Sequence, residues 1–214
     1  MPLIRNLLLI SVMALSACSN TASITGETLK YALIGPGDVT VSATQVTQLP
    51  YASAYLKIGD NPRAFVVLAY VNGDELSWLT ADNVMIVTRH GRIIKTVGLE
   101  NDLVLSAEKS ADPLAQPARA VAEWQMLAEW QYRYVSGYRL NGQLTRQTSE
   151  TLDLVTHRLV SERFDEYVTT TPDIGSWHNQ FWRDPQSGQI VKTRQQLGPD
   201  MPIIELTILK PFSS

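Results

Sequence analysis

The chain has 214 residues, 44% of them hydrophobic, with 18 Lys and Arg against 21 Asp and Glu and a formal net charge of −3. A length of this order supports one domain with a sizeable core. The slight acidic excess lacks the concentrated positive charge that nucleic acid calls for, and no polybasic patch offers itself to anionic lipid.

The first residues follow the order of a secretory signal. Arg5 supplies a short positive region and Leu7 to Ala17 (LLLISVMALSA) an apolar stretch. That stretch is far short of the ~20 residues a membrane-spanning helix needs, so residues 1–17 read as a cleavable signal peptide. Leu15-Ser16-Ala17-Cys18 resembles a bacterial lipobox. The resemblance implies cleavage before Cys18, diacylglycerol on its sulfur, and acylation (typically palmitate) of the new amino group. Cys18 is the single cysteine of the chain; a free thiol is out of place in an oxidising compartment, and a thioether to lipid accounts for it. Cleavage leaves 197 residues and removes one basic residue, so the net charge becomes −4. Several acyl chains anchor stably where one is marginal. Ser19-Asn20 follow the cysteine, with no aspartate at the first position. By analogy with enterobacterial sorting, this implies lipid anchoring in the outer membrane, on its periplasmic side. Residues 18–24 form a lipidated tether, and 25–214 are expected to be one β-rich periplasmic domain.

Thr25 to Ile34 reads as a short N-terminal helix stopped by Gly35-Pro36-Gly37. The period then becomes two. Strands are expected at Tyr51–Ile58, Ala64–Val71 and Glu75–Leu79, with Gly59-Asp60-Asn61-Pro62 and Asn72-Gly73-Asp74 as turns. Val84–Thr88 and Arg92–Val97 flank His90-Gly91 as a second hairpin. Residues 106–120 carry two prolines and little periodicity, which predicts a loop or a short helix. From Trp124 to Tyr138 apolar and polar residues alternate, suggesting one long strand, with Asn141-Gly142 as a tight turn after it. Further strands follow at about 143–155, 158–169, 177–184, 189–197 and 202–210, with Asp184-Pro185-Gln186-Ser187-Gly188 as a turn. The expected fold is mainly β: a single antiparallel meander of about ten strands, too many for a flat sheet, curled into a half-barrel.

No catalytic constellation stands out. His90, His157 and His178 lack metal-ligand spacing and no cysteine remains to complete a zinc site. No nucleotide-binding or nucleophile-elbow motif is present. These absences point to a protein that is not an enzyme and uses no metal or cofactor. Asp165 and Glu166 are adjacent on a strand and face opposite sides. Glu162 and Glu166 share a face with Phe164, a face read as solvated in preference to a glycosidase-type pair. The aromatic residues carry more weight. Trp124, Trp130, Tyr132, Tyr134 and Tyr138 share one face, and Trp177, Phe181 and Trp182 form a second cluster. Each set is either a core face or a binding surface, where flat rings would stack on sugars or line an apolar pocket.

Several strings together resemble the YjbF/GfcB-like lipoproteins of exopolysaccharide and group 4 capsule operons. They are Leu49–Asp60 (LPYASAYLKIGD), Trp78–Asp82, Thr88–Ile94, Thr96–Leu99, Phe181–Gly188 with Lys192–Gln195, and Ile208–Pro211. The resemblance implies a meander sheet curled into a half-barrel and an envelope lipoprotein that assists production or export of a surface polysaccharide. Its partners would be other secretion proteins or the glycan itself, touched by Trp124, Trp130, Tyr132, Tyr134, Trp177 and Trp182. It supplies no catalytic residues. Trp182-x-Asp184-Pro185-x-x-Gly188 is also similar to a hairpin of periplasmic lipoprotein carriers, which implies as the alternative a lipid or lipoprotein carrier with an apolar cavity.

Overall fold

A computed structural model describes residues 37–107, 112–116, 121–131 and 135–213. The chain divides into two units, 1–38 and 39–214, and the second holds all of the described strands. Cys18, the tether and the helix expected at 25–34 lie outside the described residues.

The described chain contains thirteen strands: β1 (Ser53–Ile58), β2 (Ala64–Asn72), β3 (Glu75–Leu79), β4 (Met85–Arg89), β5 (Arg92–Val97), β6 (Leu103–Ala107), β7 (Val121–Trp130), β8 (Val135–Arg146), β9 (Glu150–Asp153), β10 (Arg158–Thr171), β11 (Ser176–Arg183), β12 (Ile190–Gln196) and β13 (Ile203–Lys210). They form a single antiparallel sheet. The half-barrel expectation is corrected: the meander closes on itself. β13 pairs back onto β1, from Ser53 opposite Lys210 to Ile58 opposite Ile204, and β10 pairs with β11 over eight positions. Leaving out β9, which pairs only with β10, the other twelve strands make a closed ring. Closure removes the two unpaired edges that a half-barrel would expose.

The expected turns at 59–62, 72–74 and 90–91 join β1–β2, β2–β3 and β4–β5. His90 and Gly91 both take the left-handed conformation, φ 50 and 85, which suits a two-residue hairpin turn. Two expectations in the middle of the chain fail. The alternation from Trp124 to Tyr138 is not one strand: β7 ends at Trp130, and Trp130 pairs with Val135 at the start of β8. Asn141-Gly142 is not a turn but the middle of β8, paired with Gln125 and Trp124 on one side and with Thr169 and Val168 on the other.

Among the described residues a short helix, α1 (Ala43–Gln48), precedes the sheet. The side chain of Ser42 accepts from the Gln45 N–H, and the Gln45 side chain accepts from the Ser42 N–H, a complete capping box. Val46 of α1 packs with Tyr55 and Leu209 on the outside of β1 and β13. Within the stretch 106–120, where a loop or short helix is expected, residues 106–107 end β6 and the described residues 112–116 carry a 3-10 turn, Pro113–Ala115, capped by Asp112; Leu114 from that turn packs with Leu144, Phe164 and Phe181.

The interior of the ring is solid. Trp78, Trp124, Trp130 and Trp177 lie in one cluster with Leu56, Ile86, Ile93, Leu103 and Ile204. Opposite walls touch: a β-carbon on Gly91, in the turn just before β5, would overlap Ile190 of β12. Gln195 of β12 crosses the interior and completes β5 by accepting from the Ile93 N–H (3.1 Å) and donating to the Gly91 carbonyl (2.9 Å).

Candidate functional site

Two places in the barrel gather polar side chains. The first is inside. On β10 Glu166 lies between the buried Phe164 and Val168, and on β11 Asn179 lies between the buried Trp177 and Phe181. The Arg92 guanidinium, 2% exposed, binds both oxygens of Glu166 (2.9 and 2.7 Å) and both of Asp112 (2.6 and 3.1 Å). It lies over the rings of Trp124 (4.2 Å) and Phe181 (5.5 Å). Glu166 also accepts from the Trp124 indole N–H (2.6 Å) and from Asn179 (2.9 Å). Burial strips water from the guanidinium and would lower its pKa. The adjacent charges of Asp112 and Glu166, with their hydrogen bonds, outweigh this and hold it above its ordinary value. Every partner the carboxylate of Glu166 needs is therefore supplied by protein, as a buried charge demands. The expectation that the Glu162, Phe164 and Glu166 face is solvated is corrected: Phe164 and Glu166 are each 1% exposed. Glu162 is half-buried and pairs with Arg146 and Arg183. The room left beside Arg92, Trp124, Asn179 and Gln195 is about 10 Å³, about that of one water.

The second place is outside, on the outer face of strands that include β7 and β10. An open groove of about 520 Å³ runs over β7, β8 and β10, lined by Glu123, Gln125, Asn141, Gln143, Tyr167 and Thr169, with Trp124 and Gly142 beneath. The amide of Gln125 donates to Asn141 (2.9 Å), and Asn141 donates to Thr171 (3.1 Å). Tyr167, 43% exposed, pairs with His178 of β11, the ring centroids 4.9 Å apart and the planes tilted by 37°.

The aromatic residues singled out in the sequence divide as follows. Trp124, Trp130 and Trp177 point into the core. The Trp130 indole donates to the Leu197 carbonyl at 3.1 Å, and Tyr138 meets its ring edge-on at 5.9 Å. Trp182 faces outward but is covered, donating to Glu150 at 2.8 Å with Lys192 4.7 Å over its ring. Tyr132 and Tyr134 lie outside the described residues. Tyr167 and His178 form the exposed ring pair at the groove, and neither their strand nor their spacing marks them in the sequence. Of the histidines, His178 and His157 are exposed and His90 is half-buried, 3.8 Å from Asp74. Among the described residues no three His, Cys, Asp or Glu side chains converge as metal ligands.

The family model described as group 4 capsule polysaccharide lipoprotein gfcB, YjbF matches residues 26–209. The chain belongs to this family. It is 32% identical over 209 residues to the uncharacterized lipoprotein GfcB of Escherichia coli K12, covering 95% of this chain and 98% of the relative. It is likewise 32% identical to the uncharacterized lipoprotein YjbF of the same organism, covering 96% and 97%. The crystal structure of the hypothetical lipoprotein YmcC from Escherichia coli K12 superposes with a TM-score of 0.73 at 32% identity, over 87% of this chain and 96% of that one. The family is thus defined by capsule polysaccharide and by lipoprotein character, and no enzymatic class accompanies it.

Proposed function

We propose that this protein is a lipid-anchored envelope lipoprotein that assists production or export of a surface polysaccharide by binding, not by catalysis. Family membership supports the process. The lipobox at Leu15–Cys18 supports the anchor, with diacylglycerol on Cys18 and the barrel on the periplasmic side of the outer membrane. The observation that carries the mode of action is the packed interior. Tryptophan side chains fill much of the ring, and the room beside Arg92 and Trp124 is about 10 Å³, which supports a reading in which glycan or other secretion proteins are met on the outer faces. A carrier of acyl chains needs an apolar cavity of several hundred Å³, and the described interior gives that alternative no support.

An in-frame deletion in the native host tests the proposal. The expected result is a fall in cell-surface polysaccharide while retained polysaccharide persists. Unchanged polysaccharide together with mislocalised lipoproteins would replace it with the carrier reading.

A further inference from the structure

The outer groove over β7, β8 and β10 has three properties of a built site. Its polar side chains are pre-set: Gln125, Asn141 and Thr171 are linked in one row across three strands, so ordering them on binding costs little. Those side chains are amides and hydroxyls, which both donate and accept and so match a surface of hydroxyl groups. At one border stands a ring pair, Tyr167 against His178, that leaves Tyr167 43% exposed. A flat, half-exposed aromatic ring offers its face to the C–H side of a sugar while its hydroxyl stays wet.

The charge of the groove narrows the ligand. Its lining contains one carboxylate, Glu123, and no Lys or Arg, so an acidic polymer would be repelled with nothing to compensate. Three adjacent strands at ~4.8 Å spacing give a floor ~10 Å wide, the scale of a short segment of chain. A protein segment that docks on a sheet commonly adds to an edge, whereas at this groove β7, β8 and β10 are each paired on both sides and offer a face of side chains.

We infer that this groove binds a neutral segment of sugar chain, with the Tyr167–His178 pair as its stacking platform and Gln125, Asn141 and Gln143 as its hydrogen-bonding floor. The inference rests on the proposed function and names its ligand and its site. Tyr70, 66% exposed on the β2–β3 hairpin, is the internal control, since it is exposed and aromatic but lies outside the groove.

The test uses the full processed chain in detergent, run in native gels that contain the purified surface polysaccharide of the host. The expected result is retardation that persists as salt is raised. It weakens about tenfold in Tyr167→Ala, the size of one lost stacking contact, also weakens in Gln143→Ala, and is unchanged in Tyr70→Ala. Melting temperatures of the variants verify the fold. Retardation unchanged in both groove variants would overturn the groove. Retardation abolished by salt would overturn the neutral ligand, because screening acts on charge. No retardation at all, with the deletion still lowering surface polysaccharide, would overturn glycan binding and leave the proposed function to act through a protein partner.

Discussion

The indole of Trp124 lies across the backbone of Gly142, on the neighbouring strand, so closely that a β-carbon at 142 would overlap the ring. This contact is what lets a side chain on β7 pass over β8 and reach Glu166 on β10. Gly142→Ala must therefore push the indole off its bond to Glu166. Overpacking of this kind costs about 1–3 kcal/mol, and loss of a hydrogen bond to a buried carboxylate adds to it. The expected outcome is a lower urea midpoint with a shifted tryptophan emission in the folded state. A variant as stable as the parent would mean that the indole has another resting place.

Arg92 serves two carboxylates at once, so its loss leaves both Asp112 and Glu166 buried without their cation. Arg92→Met is expected to destabilise by about 3–5 kcal/mol, the usual cost of breaking a buried pair from one side. Combining it with Glu166→Leu should recover part of that loss, because the second change removes one of the stranded charges. Denaturation of the two single variants and the double variant gives the coupling energy. Additive losses would show that the guanidinium and the carboxylate do not depend on one another. The raised pKa of Arg92 means that its contribution is present throughout the acid and neutral range and is lost only in strong alkali, so the penalty should not vary between pH 5 and pH 8 on this account.

The strand content and most turns are legible in the sequence because two-residue periodicity and Gly, Asn and Asp punctuation are local. Closure of the ring is not, since pairing of β13 with β1 joins segments about 150 residues apart and leaves no mark in either. Asn141-Gly142 has the letters of a hairpin turn. The glycine is there for a ring arriving from another strand, which local reading cannot see. The capping box of Ser42 and Gln45 was a readable signal for α1. The buried site was half readable: Glu166 and Asn179 each lie between two apolar residues of an inward row, and a polar residue so placed needs a partner. That the partner is Arg92, 74 positions from Glu166, is set by the barrel alone.

Asp184 anchors the β11–β12 turn. Partial burial alone would raise its pKa, but the N–H of Gln186 and the hydroxyl and N–H of Ser187 donate to its carboxylate and hold it below the ordinary 3.8. A depressed native pKa contributes stability that is present above 3.8 and lost as pH falls through the native value. Asp184→Asn keeps the turn's acceptor oxygen and removes the charge. The expected difference in stability between parent and variant is therefore constant from pH 7 to about pH 5 and shrinks below pH 4. A difference that grows on acidification would reverse the sign of the argument.

Cys18 is the residue on which the proposed lipid anchor rests. Cys18→Ser is expected to block incorporation of labelled palmitate and to leave the signal uncleaved. Membrane fractionation of the native host then distinguishes the membranes: the parent should band with the outer membrane, while an inner-membrane position would contradict the sorting read from Ser19-Asn20.

β9 and the start of β10 form a two-stranded ribbon that continues past the ring, with Arg158–Ser161 paired only to β9. The ribbon folds over the outside of the barrel. Glu150 of β9 accepts from the Trp182 indole, and Val155 at its tip packs with the cluster of Val46, Tyr55 and Leu209. A lone hairpin is marginal in water, so these two contacts hold it down. Trp182→Phe keeps most of the apolar area and removes the N–H, which should cost about 1–2 kcal/mol for a hydrogen bond to a charged acceptor. Val155→Asp buries an unpaired charge at the tip and is expected to free the ribbon while the ring stays folded. Hydrogen exchange would then show fast amides at 150–161 and unchanged protection at β7 and β13. Global loss of protection would mean instead that ribbon and ring unfold as one cooperative unit.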